Sequence, residues 1–166
     1  SYPRNLNEQK KIPFIPLDEF NQNVNIHLGA YFNVMQCMVE YFLKQGHGNI
    51  INISSIQGVS APEFRHYSGT KMFSGIEYTA SKTAIIAISR YMAKYLKGKN
   101  IRINCVSPGG IFNNQDPTFL ENYSKSCINK GMLSSEDIVG AIQFLSSDNS
   151  KFINGQNIIV DDGWTL

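Results

Sequence analysis

Charge is sparse in this sequence: charged residues make up 17% of its 166 positions, and the net charge is only +2. The lysines and arginines are scattered, which excludes the massed basic face of a nucleic-acid or membrane-surface binder. No apolar run is long enough to cross a bilayer, because polar residues interrupt the longest ones. The start, Ser1-Tyr-Pro-Arg-Asn5, lacks the apolar stretch of a secretory leader and an initiator methionine, so it reads as a fragment or a processed chain. Cysteine is limited to Cys37, Cys105 and Cys127, an odd number at wide spacing with no CxxC pair. His27, His47 and His66 do not fall at metal-ligand spacing either. These features favour reduced, buried thiols in a cytoplasmic protein over a metal or redox site. Cys105, set among apolar residues in an expected strand, suits a core thiol.

What is present is enough for one domain with a real core, since 42% of the residues are hydrophobic. Residues 1–16 show little periodicity and read as an extended loop. Asp18 is expected to cap a helical region in which Phe20, Val24, Leu28, Phe32, Met35, Val39 and Phe42 recur at spacings of three and four. Gly46-His-Gly48 ends it. Asn49 to Ser55 is short, β-branched and apolar, like a strand buried on both faces of a parallel sheet. Residues 57–75 read as a loop. A long helix is expected from Glu77 to Leu96, then a buried strand from Ile101 to Ser107, broken by Pro108-Gly109-Gly110. A short helix is expected over Phe119–Ser126. Ser134 or Ser135 caps a further helix, and Asn157–Val160 forms the last strand. Strands alternating with helices imply an α/β fold with a parallel sheet. Three strands leave an unprotected edge, which calls for a partner or for more chain.

Tyr78-Thr-Ala-Ser-Lys82 carries the chemistry. Positions i and i+4 share a helix face, so a phenol and an ammonium can enter one cavity. A phenol titrates near 10, and an adjacent cation favours its ionised form, which suits it to exchange a proton with an alcohol or a carbonyl. The same spacing occurs at Tyr67/Lys71 and Tyr95/Lys99, where Gly69 and Gly98 oppose helix. Taken alone, Tyr78 also reads as an aromatic with an ordinary neighbour one turn away. Ser55 ends one expected strand and Pro108-Gly109 ends the next, and open α/β sheets place their ligand crevice at such ends.

Taken in order, these motifs resemble the C-terminal two-thirds of a short-chain dehydrogenase/reductase. They are Val-Asn25 in the first long helix, Ser54-Ser55, Tyr78-x-x-x-Lys82, Ile-Arg-Ile-Asn104 leading to Pro108-Gly109, and Ile153-Asn-Gly155-Gln leading to Asp161-x-Gly163. The resemblance implies the C-terminal part of a Rossmann-type doubly wound sheet, with 1–166 forming a single partial domain and the N-terminal βα units missing. It implies an oxidoreductase using NAD or NADP. Asn25 would anchor a water leading to Lys82, and Ser55 would bond the substrate oxygen. Tyr78 would be the acid/base, and Lys82 would hold the ribose and lower the pKa of Tyr78. Pro108, Gly109 and Ile111 would contact the nicotinamide. A small-molecule substrate, no nucleic-acid or membrane partner, and a homo-oligomer are expected.

The sequence departs from the family in three places. No glycine-rich phosphate turn precedes Asn25, so this chain by itself is expected to bind NAD(P) weakly or not at all. The gap from Ser55 to Tyr78 is longer than in many relatives, and by spacing alone Tyr67 fits better. The extra residues carry Arg65, His66 and Lys71, read either as an anion-binding cluster or as a solvated loop. Asn113 stands where a threonine is common. The long gap and the Asp161-Asp-Gly-Trp164 ending resemble a subgroup linked to bacterial surface-sugar and flagellin-glycan biosynthesis, which points to a sugar or sugar-nucleotide substrate. A non-catalytic remnant or assembly subunit with the same fold is the alternative, in which the helix from Ile85 to Leu96, with Ile86, Met92 and Ala93, packs against a copy.

Overall fold

The computed structural model describes residues 4–5 and 15–166. In order, the elements are β1 (Arg4–Asn5), α1 (Leu17–Val24), α2 (Ala30–Gln45), β2 (Gly48–Ile53), β3 (Met72–Phe73), α3 (Ile76–Tyr95), β4 (Ile101–Pro108), α4 (Pro117–Ser124), α5 (Val139–Ser146) and β5 (Asn157–Val160). β2, β4 and β5 form a parallel sheet with β4 in the middle, in register Ile50 to Ile103 and Val106 to Ile158. The expected α/β architecture is what is observed. Most of residues 1–16 lie outside the described part, and β1 pairs antiparallel with β3. Among the described residues, no strand covers the outer edge of β2.

β4 is buried on both faces because its residues alternate between two partners. Ile101 and Ile103 meet Met35 and Val39 of α2 and Ala93 and Leu96 from the α3 side. Arg102 and Asn49 point the other way and donate to the Leu145 carbonyl of α5 at 3.0 and 2.8 Å. Each fully buried aliphatic side chain, such as Ile103 or Ile85, contributes about 1.5–3 kcal/mol relative to exposure. Cys105 is a core thiol, as expected, 1% exposed.

The motif asparagine of β4 links the last two segments in physical terms. Asn104 is fully buried; its amide donates to the Ile153 carbonyl at 2.9 Å and its carbonyl accepts from the Gln156 N–H at 2.9 Å. The turn leading into β5 is thereby tied to the central strand.

The first long helix differs from its expected form in two respects. Asp18 does not cap it: the helix begins behind Pro16, and Asp18 sits with Glu19 in the first turn, where negative charge suits the helix dipole. A π-turn over Asn25–Gly29 joins α1 to α2. Beyond it the inward-facing side chain is Tyr31, and Phe32 remains 45% exposed. The segment between β2 and α3 is also not a plain loop, since it holds short 3-10 turns at Ile56–Gly58 and Phe64–Tyr67 as well as β3. Ile86 and Ala93 are buried inside this chain, so they cannot serve the expected contact between copies. On that stretch of α3, Tyr91 and Tyr95 are the large hydrophobic side chains that face outward.

Candidate active site

β2 and β4 end on the same rim. β2 delivers Ser54 and Ser55, β4 delivers Pro108 and Gly109, and the N-terminal turn of α3 delivers Tyr78 between them. Gly58 lets the turn after Ser55 lie directly on α3: a Cβ there would stand 2.7 Å from Ser54 Oγ and 2.8 Å from the Lys82 carbonyl oxygen. The two serines have different partners. Ser54 Oγ donates to the Lys82 carbonyl at 2.8 Å and so fastens the strand to the helix. Ser55 Oγ accepts from the Gln57 N–H at 3.1 Å and shares a side-chain hydrogen bond with Tyr78.

Lys82 follows Tyr78 by one helical turn. Its Nζ donates to the Ile53 carbonyl at 3.1 Å and lies 5.6 Å from the Tyr78 ring centroid. Burial pushes the Tyr78 phenol above its ordinary value, with the Ser55 bond acting in the opposite direction. Burial also pulls the Lys82 ammonium below its ordinary value. The direction for Tyr78 is thus upward, against the lowering expected from an adjacent cation, because removal from water penalises the phenolate more than these contacts favour it. The His27 ring stands edge-on to Tyr78 at 6.5 Å.

The other tyrosines lie elsewhere. Tyr67 packs on Phe119 at 5.1 Å, and burial pushes its phenol above the ordinary value. Tyr95 is exposed and stacks on Tyr91 at the far end of α3. Asn25 opens the π-turn with its side chain along Gly29, in a shallow hollow shared with Val24, Leu28, Phe32 and Ile88. Among the described residues, no direct hydrogen bond joins Asn25 to Lys82.

Beyond Pro108 the chain is held from several sides. The Gly109 N–H donates to the Val160 carbonyl at 2.8 Å, and the Gly110 N–H donates to the Tyr123 hydroxyl at 2.6 Å. A Cβ on Gly110 would meet the Met132 methyl at 2.5 Å and the Tyr123 ring at 3.0 Å. The Ile111 carbonyl accepts from Gln115 at 2.8 Å, whereas among the described residues the Ile111 N–H has no hydrogen-bond partner. Asn113 is exposed in the same loop.

The expected cluster of Arg65, His66 and Lys71 is not assembled. Arg65 pairs with Glu63 at 2.7 Å, and Lys71 is exposed. His66 is turned inward, 5% exposed, with Nε2 2.8 Å from Ser126 Oγ. Its ring packs against Tyr123 and Trp164, at centroid distances of 5.5 and 5.6 Å. A 3-10 turn separates neighbours in sequence onto opposite sides, which composition alone does not show. Tyr31 and Tyr123, which touch Lys82 and the post-Pro108 loop, were missed from the sequence, because each acts across a long range.

A wider groove lies at the other end of the sheet, around Gly48, Ile101 and Arg102. Its Arg102 guanidinium is engaged with backbone carbonyls of Leu145 and Ile153, a structural role. The groove is remote from Tyr78.

A family model described as enoyl-(acyl carrier protein) reductase matches residues 4–165. Post-translational flagellin modification protein A of Campylobacter coli is 48% identical over 149 residues, which cover 90% of this chain and 58% of that protein. A short-chain dehydrogenase from Leptospira borgpetersenii, solved with bound NAD+, is 34% identical with a TM-score of 0.87, covering 98% of this chain and 63% of that one. A gluconate 5-dehydrogenase from Burkholderia cenocepacia, solved with NADP and tartrate, is 27% identical with a TM-score of 0.81, covering 98% of this chain and 61% of that one. This chain therefore spans about three fifths of these relatives' length. Among the described residues, no helix is long and apolar enough to cross a membrane. Since the family match runs over nearly all its residues and the parallel sheet is that of the solved relatives, the chain belongs to the short-chain dehydrogenase/reductase family.

Proposed function

We propose that this chain carries the proton-handling site of an NAD- or NADP-dependent oxidoreductase that interconverts a hydroxyl and a ketone on a sugar or sugar-nucleotide substrate. The observation that carries this reading is the hydrogen bond shared by Ser55 and Tyr78 at the C-terminal rim, with the Lys82 ammonium 5.6 Å from the Tyr78 ring. The residues present fit a nicotinamide cofactor. Among the described residues the Ile111 N–H is a donor without a partner, and Lys82 uses one of its three donors on Ile53. Tyr78 and Lys82 would hold the ribose, and Pro108, Gly109 and Ile111 would face the nicotinamide. A nicotinamide cofactor, when bound, supplies or takes up the hydride.

The chain's own residues handle the proton and the position. Ser55 holds the substrate oxygen. In oxidation, Tyr78 takes the hydroxyl proton onto its phenolate oxygen as the carbonyl forms; in reduction it returns that proton to the new alkoxide. Burial makes the phenolate costly and holds the Tyr78 phenol above its ordinary value; in this reading the Ser55 bond and the Lys82 charge offset part of that cost. Asn25 organises a water that reaches Lys82. The flagellin-modification relative and the gluconate dehydrogenase favour a polyhydroxylated substrate. The whole of 1–166 acts as one catalytic domain portion of a cytoplasmic homo-oligomer.

The test follows reduced-nicotinamide absorbance in the full-length protein with NAD or NADP and a panel of sugars and sugar nucleotides. Ser55→Ala should lower kcat by about 100-fold or more. Full turnover in that variant, or no hydride transfer with any polyol or ketose, contradicts the proposal.

A further inference from the structure

Lys82 sits in a place that does not suit an ammonium. It is partly withdrawn from water, and burial alone moves its equilibrium toward the neutral form. Among the described residues no carboxylate pairs with it. Its contacts are the Ile53 carbonyl at 3.1 Å and two aromatic faces, Tyr78 at 5.6 Å and Tyr31 at 5.5 Å from ring centroid to Nζ. Both lie within the roughly 6 Å at which a ring quadrupole attracts a cation.

Tyr31 comes from a different element than the Tyr78–Lys82 pair. It lies in the first turn of α2, on the face whose neighbour Leu28 packs with it against Ile85, Ile86 and Cys105. Its hydroxyl donates to the Ile53 carbonyl at 2.8 Å, the same oxygen that accepts from Lys82. One acceptor thus fixes both the ring and the ammonium, and the ring face lies along the ammonium's position. A carboxylate there would also stabilise the charge, but it would cancel the field that Tyr78 needs. An aromatic face stabilises the cation while carrying no net charge.

We propose that Tyr31 is a positioning residue: the face of its ring, over Nζ, holds the Lys82 ammonium in place beside Tyr78. This rests on the reading of Tyr78 as the acid/base. The other titratable groups facing the pair are His27, edge-on to Tyr78; Tyr67, whose phenol feels the charge of Tyr78; and Cys105, behind Tyr31. Glu77 adjoins Tyr78 along α3. None of these stands where Tyr31 does, over Nζ.

The experiment is the pH dependence of kcat/KM for alcohol oxidation in the full-length protein. It compares wild type with Tyr31→Leu, Tyr31→Met and Tyr31→Phe. Loss of the ring weakens the hold on the cation, which disfavours the Tyr78 phenolate. The acidic limb in Tyr31→Leu and Tyr31→Met should therefore move to higher pH by about 0.5–1.5 units. Tyr31→Phe keeps the face and should hold the limb at the wild-type position. Two results overturn the proposal: a rate lowered equally at every pH in the aliphatic variants, which marks a packing role, or a shift in Tyr31→Phe as large as in Tyr31→Leu. If the aliphatic variants do not fold, Tyr31→Phe decides alone, because a shifted limb there contradicts the ring's role and an unshifted limb supports it. Tyr78→Phe, measured alongside, separates the two claims. Retained turnover in Tyr78→Phe removes the acid/base reading itself, whereas loss there with unmoved limbs in the Tyr31 variants removes only this inference.

Discussion

Tyr123→Phe removes one oxygen and leaves the ring. In the native structure that oxygen accepts the Gly110 N–H at 2.6 Å, and the ring stacks on Trp164 at 6.0 Å with planes 20° apart. Burial raises the phenol well above its ordinary value, so the hydroxyl is neutral and serves as a fixed acceptor. Phenylalanine preserves the stacking and strands the Gly110 N–H beneath the ring and Met132, where water has little room. An unsatisfied buried donor costs about 1–3 kcal/mol. In a domain of this size each kcal/mol lowers Tm by about 2–4 °C. Urea unfolding of the full-length protein should show a lower midpoint at an unchanged slope. Because Gly110 lies between Pro108-Gly109 and Ile111, the Michaelis constant for the nicotinamide cofactor should rise more than kcat falls. A midpoint equal to wild type with an unchanged cofactor constant refutes the reasoning, since it would mean that the hydroxyl does not hold this loop.

Behind the site, Ser89 accepts from the Asn52 amide at 2.7 Å, donates to the Ile85 carbonyl at 2.7 Å and contacts the Cys105 sulfur at 3.1 Å, at 1% exposure. Ser89→Ala should cost about 1–3 kcal/mol by leaving the Asn52 amide with only the weak Met35 sulfur as acceptor, and Ser89→Ala combined with Asn52→Leu should recover part of that loss in the same urea assay. His66 lies below the ordinary imidazole value of 6.5, chiefly because it is buried. As pH falls below about 6.5 the unfolded chain takes up a proton first, so the stability gained by burying the neutral ring is full above that pH and is lost toward the lower folded value. Thermal unfolding between pH 7 and 5 should show a steeper decline for wild type than for His66→Gln, and parallel curves would contradict it.

The parallel sheet and α3 were legible because their signals are local. β2 and β4 are short β-branched runs bounded by glycine or proline, and α3 ends where Gly98 adopts a positive φ. The π-turn was not legible, since an extra residue in a helical turn leaves spacings of three and four intact. Both Tyr31 and Phe32 satisfy the spacing from Leu28, and only tertiary packing selects Tyr31. The β1–β3 pair was missed because two-residue strands show no period. The Arg65, His66 and Lys71 cluster failed for the opposite reason. Residue type suggested a shared site, but backbone direction across Phe64–Tyr67 sends His66 inward to Ser126 and leaves Arg65 with Glu63. Of the three Tyr-x-x-x-Lys pairs, helical context alone separated Tyr78, and the structure adds that its hydroxyl bonds Ser55.

That separation makes the most direct test a comparison of two tyrosines in the full-length protein. Tyr78→Phe and Tyr67→Phe each remove one buried phenol oxygen near Gln57 and Ser55, but only one of those oxygens is assigned to move a proton. Turnover measured by nicotinamide absorbance should fall by about 100-fold or more in Tyr78→Phe and stay within a few-fold of wild type in Tyr67→Phe. Near-normal turnover in Tyr78→Phe with collapse in Tyr67→Phe would contradict the account and move the acid/base to the segment between β2 and α3.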